Sequence, residues 1–361
     1  MQVLSYFKTM MGPHGLYQHA TLREPLLREG YCTDDNTRAV QTLLFLKQLA
    51  SLSEQAEIEL LLTRCWQFIV EAEEAPGSYY NFRTSSGEWL PHGRSDDMYA
   101  RLVRMLLTVI DHDENQTRRQ AARTMLEAHL PTVAKLTAPR AWAEILLAVT
   151  SSSAATRQQF ALEPLITHGC KLLHDLWDKQ ATEDWPWFEP TMTYANALLP
   201  HGLLTGIKTE ADDSLTDILH RSANFLRQAT IANDMFIPIG SNGWYPKGGT
   251  PSRDNQQPIE AGTTFDFFLD YYQAFPDRLS LAQVAAPYLW FWGKNTLRVQ
   301  LAQPDGASYD SLFLKGPNKN CGAESMLAYL WAEVRLRDAP ASVAAYIAAE
   351  RARLQAQDIK R

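Results

Sequence analysis

Gly30-Tyr31-Cys32-Thr33-Asp34-Asp35-Asn36-Thr37-Arg38-Ala39 decides the fold. Thr33 to Asn36 are all residue types that open helices, and the apolar run Val40, Leu43, Leu44 and Leu46 follows. The stretch therefore reads as a helix start with two carboxylates at the positive end of the dipole. Working outward, the same pattern returns. Ser95-Asp96-Asp97 precedes a helix carrying Leu102, Leu106 and Val109, and Pro139-Arg140-Ala141-Trp142 opens another with proline in its first turn. Trp185-Pro186-Trp187-Phe188-Glu189, Pro258-Ile259-Glu260-Ala261-Gly262 and Gly322-Ala323-Glu324-Ser325 each stand ahead of a further helical run. Asp34, Asp96, Arg140, Glu189, Glu260 and Glu324 thus mark a weak repeat of about 60 residues, six times over.

Between these starts lie six partner helices. They cover about 55–74, 116–136, 155–180, 211–230, 279–294 and 340–357, and a helix over about 194–206 follows the tryptophan-rich stretch. Ile58, Leu61, Leu62, Cys65, Trp66 and Ile69 place the first partner's apolar side at helical spacing. Twelve helices and almost no strands predict an all-α protein of six helical hairpins, an (α/α)6 toroid forming one domain over 1–361. The lead-in is 1–33 and the last hairpin about 322–357. In a closed ring the first helix of each hairpin is inner, so the six polar motifs meet at one end.

Composition narrows the partners. At 361 residues the chain exceeds the size at which single cores usually stop growing, which calls for two domains or one large closed architecture. A net charge of −7 with no long basic run argues against nucleic acid and anionic membrane surfaces. No stretch approaches the roughly 20 apolar residues of a membrane span, and Met1 to Gly15 lack the pattern of a secretory signal. Cys32, Cys65, Cys170 and Cys321 are far apart without metal-ligand spacing, and read as reduced thiols of a cytoplasmic protein; no metal or cofactor is expected.

The motif at residues 30–39 resembles the "GYCTDDNARA" signature of a group of bacterial (α/α)6-toroid proteins in the six-hairpin glycosidase-like superfamily. Trp185 to Glu189, Thr193 to Asn196, Gln257 to Gly262 and Asn320 to Ser325 agree with it, so the resemblance spans roughly residues 14 to 330. Its members are often encoded beside glycosyltransferases or glycan-degrading enzymes, which implies an oligosaccharide or glycan as ligand and a glycosyltransferase as a pathway partner. Two positions depart from the group: Ser95-Asp96-Asp97 stands for Ser-Glu-Asp, and Thr193-Tyr194-Ala195-Asn196 for Thr-Tyr-Asp-Asn.

Glycoside cleavage needs two carboxyl groups flanking the bond. Glu189, set among indole and phenyl rings, is expected as the general acid and Asp35 or Glu260 as the base, with inversion, which is common among such toroids. Asp34, Asp96, Asp97, Glu324, Tyr194, Asn196, His14 and His19 are expected sugar contacts. Trp185, Trp187 and Trp244 are expected stacking platforms, Trp244 on the glycine-rich stretch Phe236 to Gln257, whose length is itself a functional signal. Each has a plain structural alternative. Asp34 and Asp96 serve as helix caps, the Trp185–Glu189 stretch as a core corner, Glu324 as a tie between hairpins, and Arg38 and Arg101 as internal ion-pair partners. Trp290 and Trp292 read as core. The leading expectation is a glycoside hydrolase. The alternatives are a non-catalytic glycan-binding accessory protein and a lyase or epimerase on the same toroid.

Overall fold

The computed structural model describes residues 2–209 and 212–358. Among them are fourteen α-helices: α1 (Ser5–Met10), α2 (Thr33–Gln48), α3 (Leu52–Ala72), α4 (Asp96–His112), α5 (Gln116–Val133), α6 (Pro139–Ser151), α7 (Ala154–Phe160), α8 (Glu163–Gln180), α9 (Leu198–Ile207), α10 (Asp213–Thr230), α11 (Pro258–Ala274), α12 (Leu281–Phe291), α13 (Ala323–Arg337) and α14 (Ala341–Asp358). All described strands are two or three residues long and pair locally in twos, with one three-stranded set at Tyr31–Cys32, Phe82–Arg83 and Trp89–Leu90. The six helix starts read from the sequence fall at α2, α4, α6, α9, α11 and α13. One expectation needs correcting. The helix read over 155–180 is two helices, broken where Ala161 adopts a left-handed backbone with φ 51°.

The chain forms two compact units. One comprises Phe7–Asp175 with His201–Asp217; the other comprises Gln2–Tyr6, Leu176–Pro200 and the chain from Ile218 onward. In the first, α3 packs on α2 and α5 on α4, while α4 also packs between α2 and α6. α6 is buried at every position from Arg140 to Val149, as a helix with neighbours on all sides must be. α5 buries only the stripe Arg118, Ala122, Met125, Leu126, His129 and Val133, the pattern of a helix covering one face. In the second unit α11 packs against both α12 and α13, and α14 covers α12. α11 is buried almost continuously from Pro258 to Leu269. Trp290 and Trp292 are core residues, and the Trp290 indole donates to Gln256 Oε1 at 3.1 Å. The four cysteines are free and buried. No described helix is long and apolar enough to cross a membrane.

Candidate functional site

In the first unit each polar residue of the opening motif has its own partner. Thr33 donates its amide to Asn81 O at 2.7 Å and its hydroxyl to Tyr80 O at 2.6 Å, so the start of α2 is hung on the 79–81 segment. Asn36 ties the lead-in, accepting Leu16 N at 2.9 Å and donating to Leu16 O and Cys32 O. Asp34 does not cap α2: the residue at the cap position is Cys32, without a side-chain cap bond. Instead Arg101 of α4 donates from Nη1 to both Asp34 oxygens at 2.6 Å, and Arg38 donates to Asp34 Oδ2 at 3.1 Å and to Asp35 Oδ1 at 2.8 Å. Arg104 continues the chain of charges to Glu144 of α6 at 2.7 Å. Burial alone would raise the Asp34 carboxyl, but the Arg101 and Arg38 guanidiniums outweigh it and hold the group below its ordinary range. Burial likewise opposes the charge on Arg101, and Asp34, Glu144 and Asp97 together reverse that effect. Arg38 and Arg101 are thus the ion-pair partners read from the sequence, and they bind α2, α4 and α6 together.

Asp96 is committed elsewhere. Ser95 caps α4 through Met98 N at 3.2 Å, while Asp96 Oδ2 accepts Thr137 N at 2.7 Å and Ala138 N at 2.8 Å, the amides leading into α6. It is a cap, but of the next hairpin. His14 lies half-buried, edge-on to Tyr31 with centroids 5.8 Å apart, and His19 is exposed on the lead-in.

In the second unit the tryptophan-rich loop is a packed corner. Trp185 is 2% exposed and Trp187 fully buried. Trp185 meets Phe225 and Tyr245 edge to face at 5.1 and 4.9 Å, and Trp187 meets Phe188 at 5.5 Å. Both indole faces are therefore covered by protein. This corrects the expectation of stacking platforms: the two rings are packed into the corner itself. The Trp185 indole donates to Glu189 O at 2.8 Å, fixing the backbone there and leaving the Glu189 side chain half-buried. The glycine-rich stretch is stitched to this loop. Tyr245 pairs with Met192 and Pro246 with Thr191, and Lys247 N donates to Pro190 O at 2.8 Å. Two segments more than 50 residues apart in the chain thus make one layer, with half-exposed Trp244 next to the paired strands and Tyr194, 37% exposed, at its edge.

Glu260, 3% exposed near the start of α11, faces the turn ahead of α9. Ala195 N donates to its Oε1, and Asn196 donates to its Oε2 from the side-chain amide at 3.0 Å and from the backbone at 3.4 Å. Both oxygens accept N–H hydrogens, so the turn is held as an anion-lined loop. Ala195 sits there with φ 44°, a left-handed conformation that alanine adopts at a cost. Asn196 Oδ1 is buried without a hydrogen-bond partner among the described residues, as is Trp187 Nε1. Farther along, Asp310 Oδ1 accepts Gly322 N at 2.6 Å and Ser325 Oγ at 2.8 Å, so Asp310, not Glu324, secures the start of α13. Glu324 is half-buried beside it.

No family profile matches the sequence, and no curated protein matches it. Solved structures do match in three dimensions. A sugar epimerase from a ruminal bacterium superposes with a TM-score of 0.70 at 11% identity, covering 94% of this chain and 96% of its own. A D-mannose isomerase gives 0.68 at 13% identity, with 92% and 94% covered. An alpha-mannanase from Bacteroides thetaiotaomicron gives 0.62 at 11% identity, with 92% and 93% covered. The fold shared with these structures is the all-α (α/α)6 toroid.

On this toroid fold the starts of the inner helices are held by carboxylates from elsewhere in the chain. Asp96 holds the lead-in to α6, Glu260 the turn before α9, and Asp310 the start of α13. Sequence reasoning found the first two acids but not their partners, which lie 41 and 65 residues away. It missed Asp310, Glu144, Arg104 and the pair Asp266–Arg335 that joins α11 to α13 at 2.5 Å. The signal for Asp266 and Asp270 was their spacing of one helical turn, facing Arg335.

Proposed function

We propose that the protein acts on an oligosaccharide or glycan as a glycoside hydrolase, with Glu189 as its general acid. The observation that carries this is the seating of Glu189. Its backbone is locked by an indole, its side chain is half-buried, and its loop is paired with the glycine-rich segment. A half-buried carboxyl group on a fixed backbone is placed to donate a proton to a bound ligand. Tyr194 and Trp244 remain the rings available to stack on a sugar, in place of Trp185 and Trp187. The similar structures support a carbohydrate ligand, since they include an epimerase, an isomerase and a mannanase. Glu260, with N–H donors on both oxygens, is better suited to shaping the turn that presents Tyr194 and Asn196 than to taking a proton from water.

A second reading, a glycan-binding protein without turnover, is favoured by Ala195. The left-handed backbone there is one that Asp and Asn adopt more readily, yet the residue offers no carboxylate. Glu189→Gln separates the two. On an oligosaccharide that the wild-type protein cleaves, the variant is expected to lose about 100-fold or more in kcat while still binding, as removal of a general acid does. Full activity in the variant would refute the assignment, and binding without cleavage in the wild type would establish the second reading.

A further inference from the structure

A cavity of about 340 Å³, whose lining includes none of these loops, lies against α10 and the turn joining α11 to α12. That volume is within the range of small-molecule sites, roughly 300–1,000 Å³. His220, Ala223, Asn224 and Arg227 line it from α10 at i, i+3, i+4 and i+7, one helical face. Arg278 and Gln283 line it from the turn and from the start of α12, and Leu279 supplies apolar wall.

Its lining is rich in donors, and the Tyr271 hydroxyl there is engaged with His220 Nδ1 at 2.7 Å. Asn224 Oδ1 is occupied by Arg227 Nη2 at 2.8 Å, and Gln283 Oε1 by Ser280 N at 3.1 Å in the cap of α12. Each amide keeps its NH2 free to donate into the cavity. Arg227 and Arg278 add two guanidiniums, neither ion-paired among the described residues. Elsewhere in the protein Arg101, Arg118 and Arg335 are each matched to a carboxylate. The one acid lining the cavity is Asp277, which leaves an excess of positive charge. Two guanidiniums without a carboxylate partner, beside two free amide NH2 groups, suit an oxyanion.

We infer that this cavity binds a phosphoryl group, as inorganic phosphate or on a small phosphorylated sugar, at a site separate from the Glu189 loop. The inference rests on the cavity alone and stands whether or not Glu189 is catalytic. Titration calorimetry of the full chain at low salt, with inorganic phosphate and with glucose 6-phosphate, tests it. Saturable binding is expected, weakened about tenfold or more by Arg227→Ala and by Arg278→Ala, in keeping with the loss of a charge-assisted fork. Arg28→Ala, at an exposed position, is expected to change nothing. Equal affinity for the two probes would assign free phosphate, and tighter binding of the sugar phosphate would assign the larger ligand. Absence of binding by both probes, or binding that survives both cavity substitutions in variants whose thermal unfolding matches the wild type, would overturn the inference.

Discussion

At the residue scale, the lesson of Asp34 is that an acid at a helix start is defined by what reaches it from another helix. Its position promised a cap, yet its charge is met by Arg101, 67 residues away, and by Arg38 one turn on. Removing Arg101 leaves a mostly buried carboxylate short of its strongest partner. Arg101→Ala is therefore expected to cost about 3–5 kcal/mol in urea unfolding, as breaking one side of a buried pair does. The same pair sets a pH dependence. The Asp34 carboxyl is lowered in the folded protein, so its contribution is complete above the unfolded value of about 3.9 and is lost as pH falls through the folded value. The Tm difference between wild type and Asp34→Asn should be constant from near neutral to about pH 5, then shrink below about pH 4. A difference that widened on acidification would contradict the role given to Arg101.

At the element scale, the helices were legible because burial imposes a period. α3 and α5 carry stripes of buried residues at helical spacing, and α6 and α11 are buried over nearly all their first turns. The break between α7 and α8 was not legible, because the residue that makes it is alanine where a glycine would have announced the turn. The available signal was Pro164, whose ring disfavours helical backbone in the residue before it and marks a restart rather than a continuation. Ala161 is exposed, so replacing it with glycine removes the left-handed penalty without opening a cavity. Ala161→Gly is expected to stabilise the protein by up to about 1 kcal/mol, read as a higher urea midpoint at unchanged slope. A loss of stability would mean that the turn is held by its neighbours rather than strained.

At the scale of the whole molecule, six helix starts could be counted in the sequence, and the acids near them could be named. What each acid does could not, because the donors come from segments with no sequence relation to it. Ala195 and Asn196 meet Glu260 across 64 or 65 residues, and Thr137 and Ala138 meet Asp96 across 41 or 42. The tryptophans misled for a related reason: sequence gives the size of a ring but not which of its faces is covered, and Phe225 and Tyr245 cover Trp185. Net charge bears on the substrate as well. A net charge of −7 disfavours association with acidic polysaccharides, which favours a neutral glycan and weighs against a uronate lyase. The proposed reaction then makes a prediction about the product. If water attacks from the face opposite the leaving group, the first sugar released carries the inverted anomeric configuration, visible by proton NMR before mutarotation, and carries one oxygen from labelled water. An isomer of unchanged mass would move the assignment to epimerisation. A product with retained configuration would keep hydrolysis but require a carboxylate acting as nucleophile in place of one activating water.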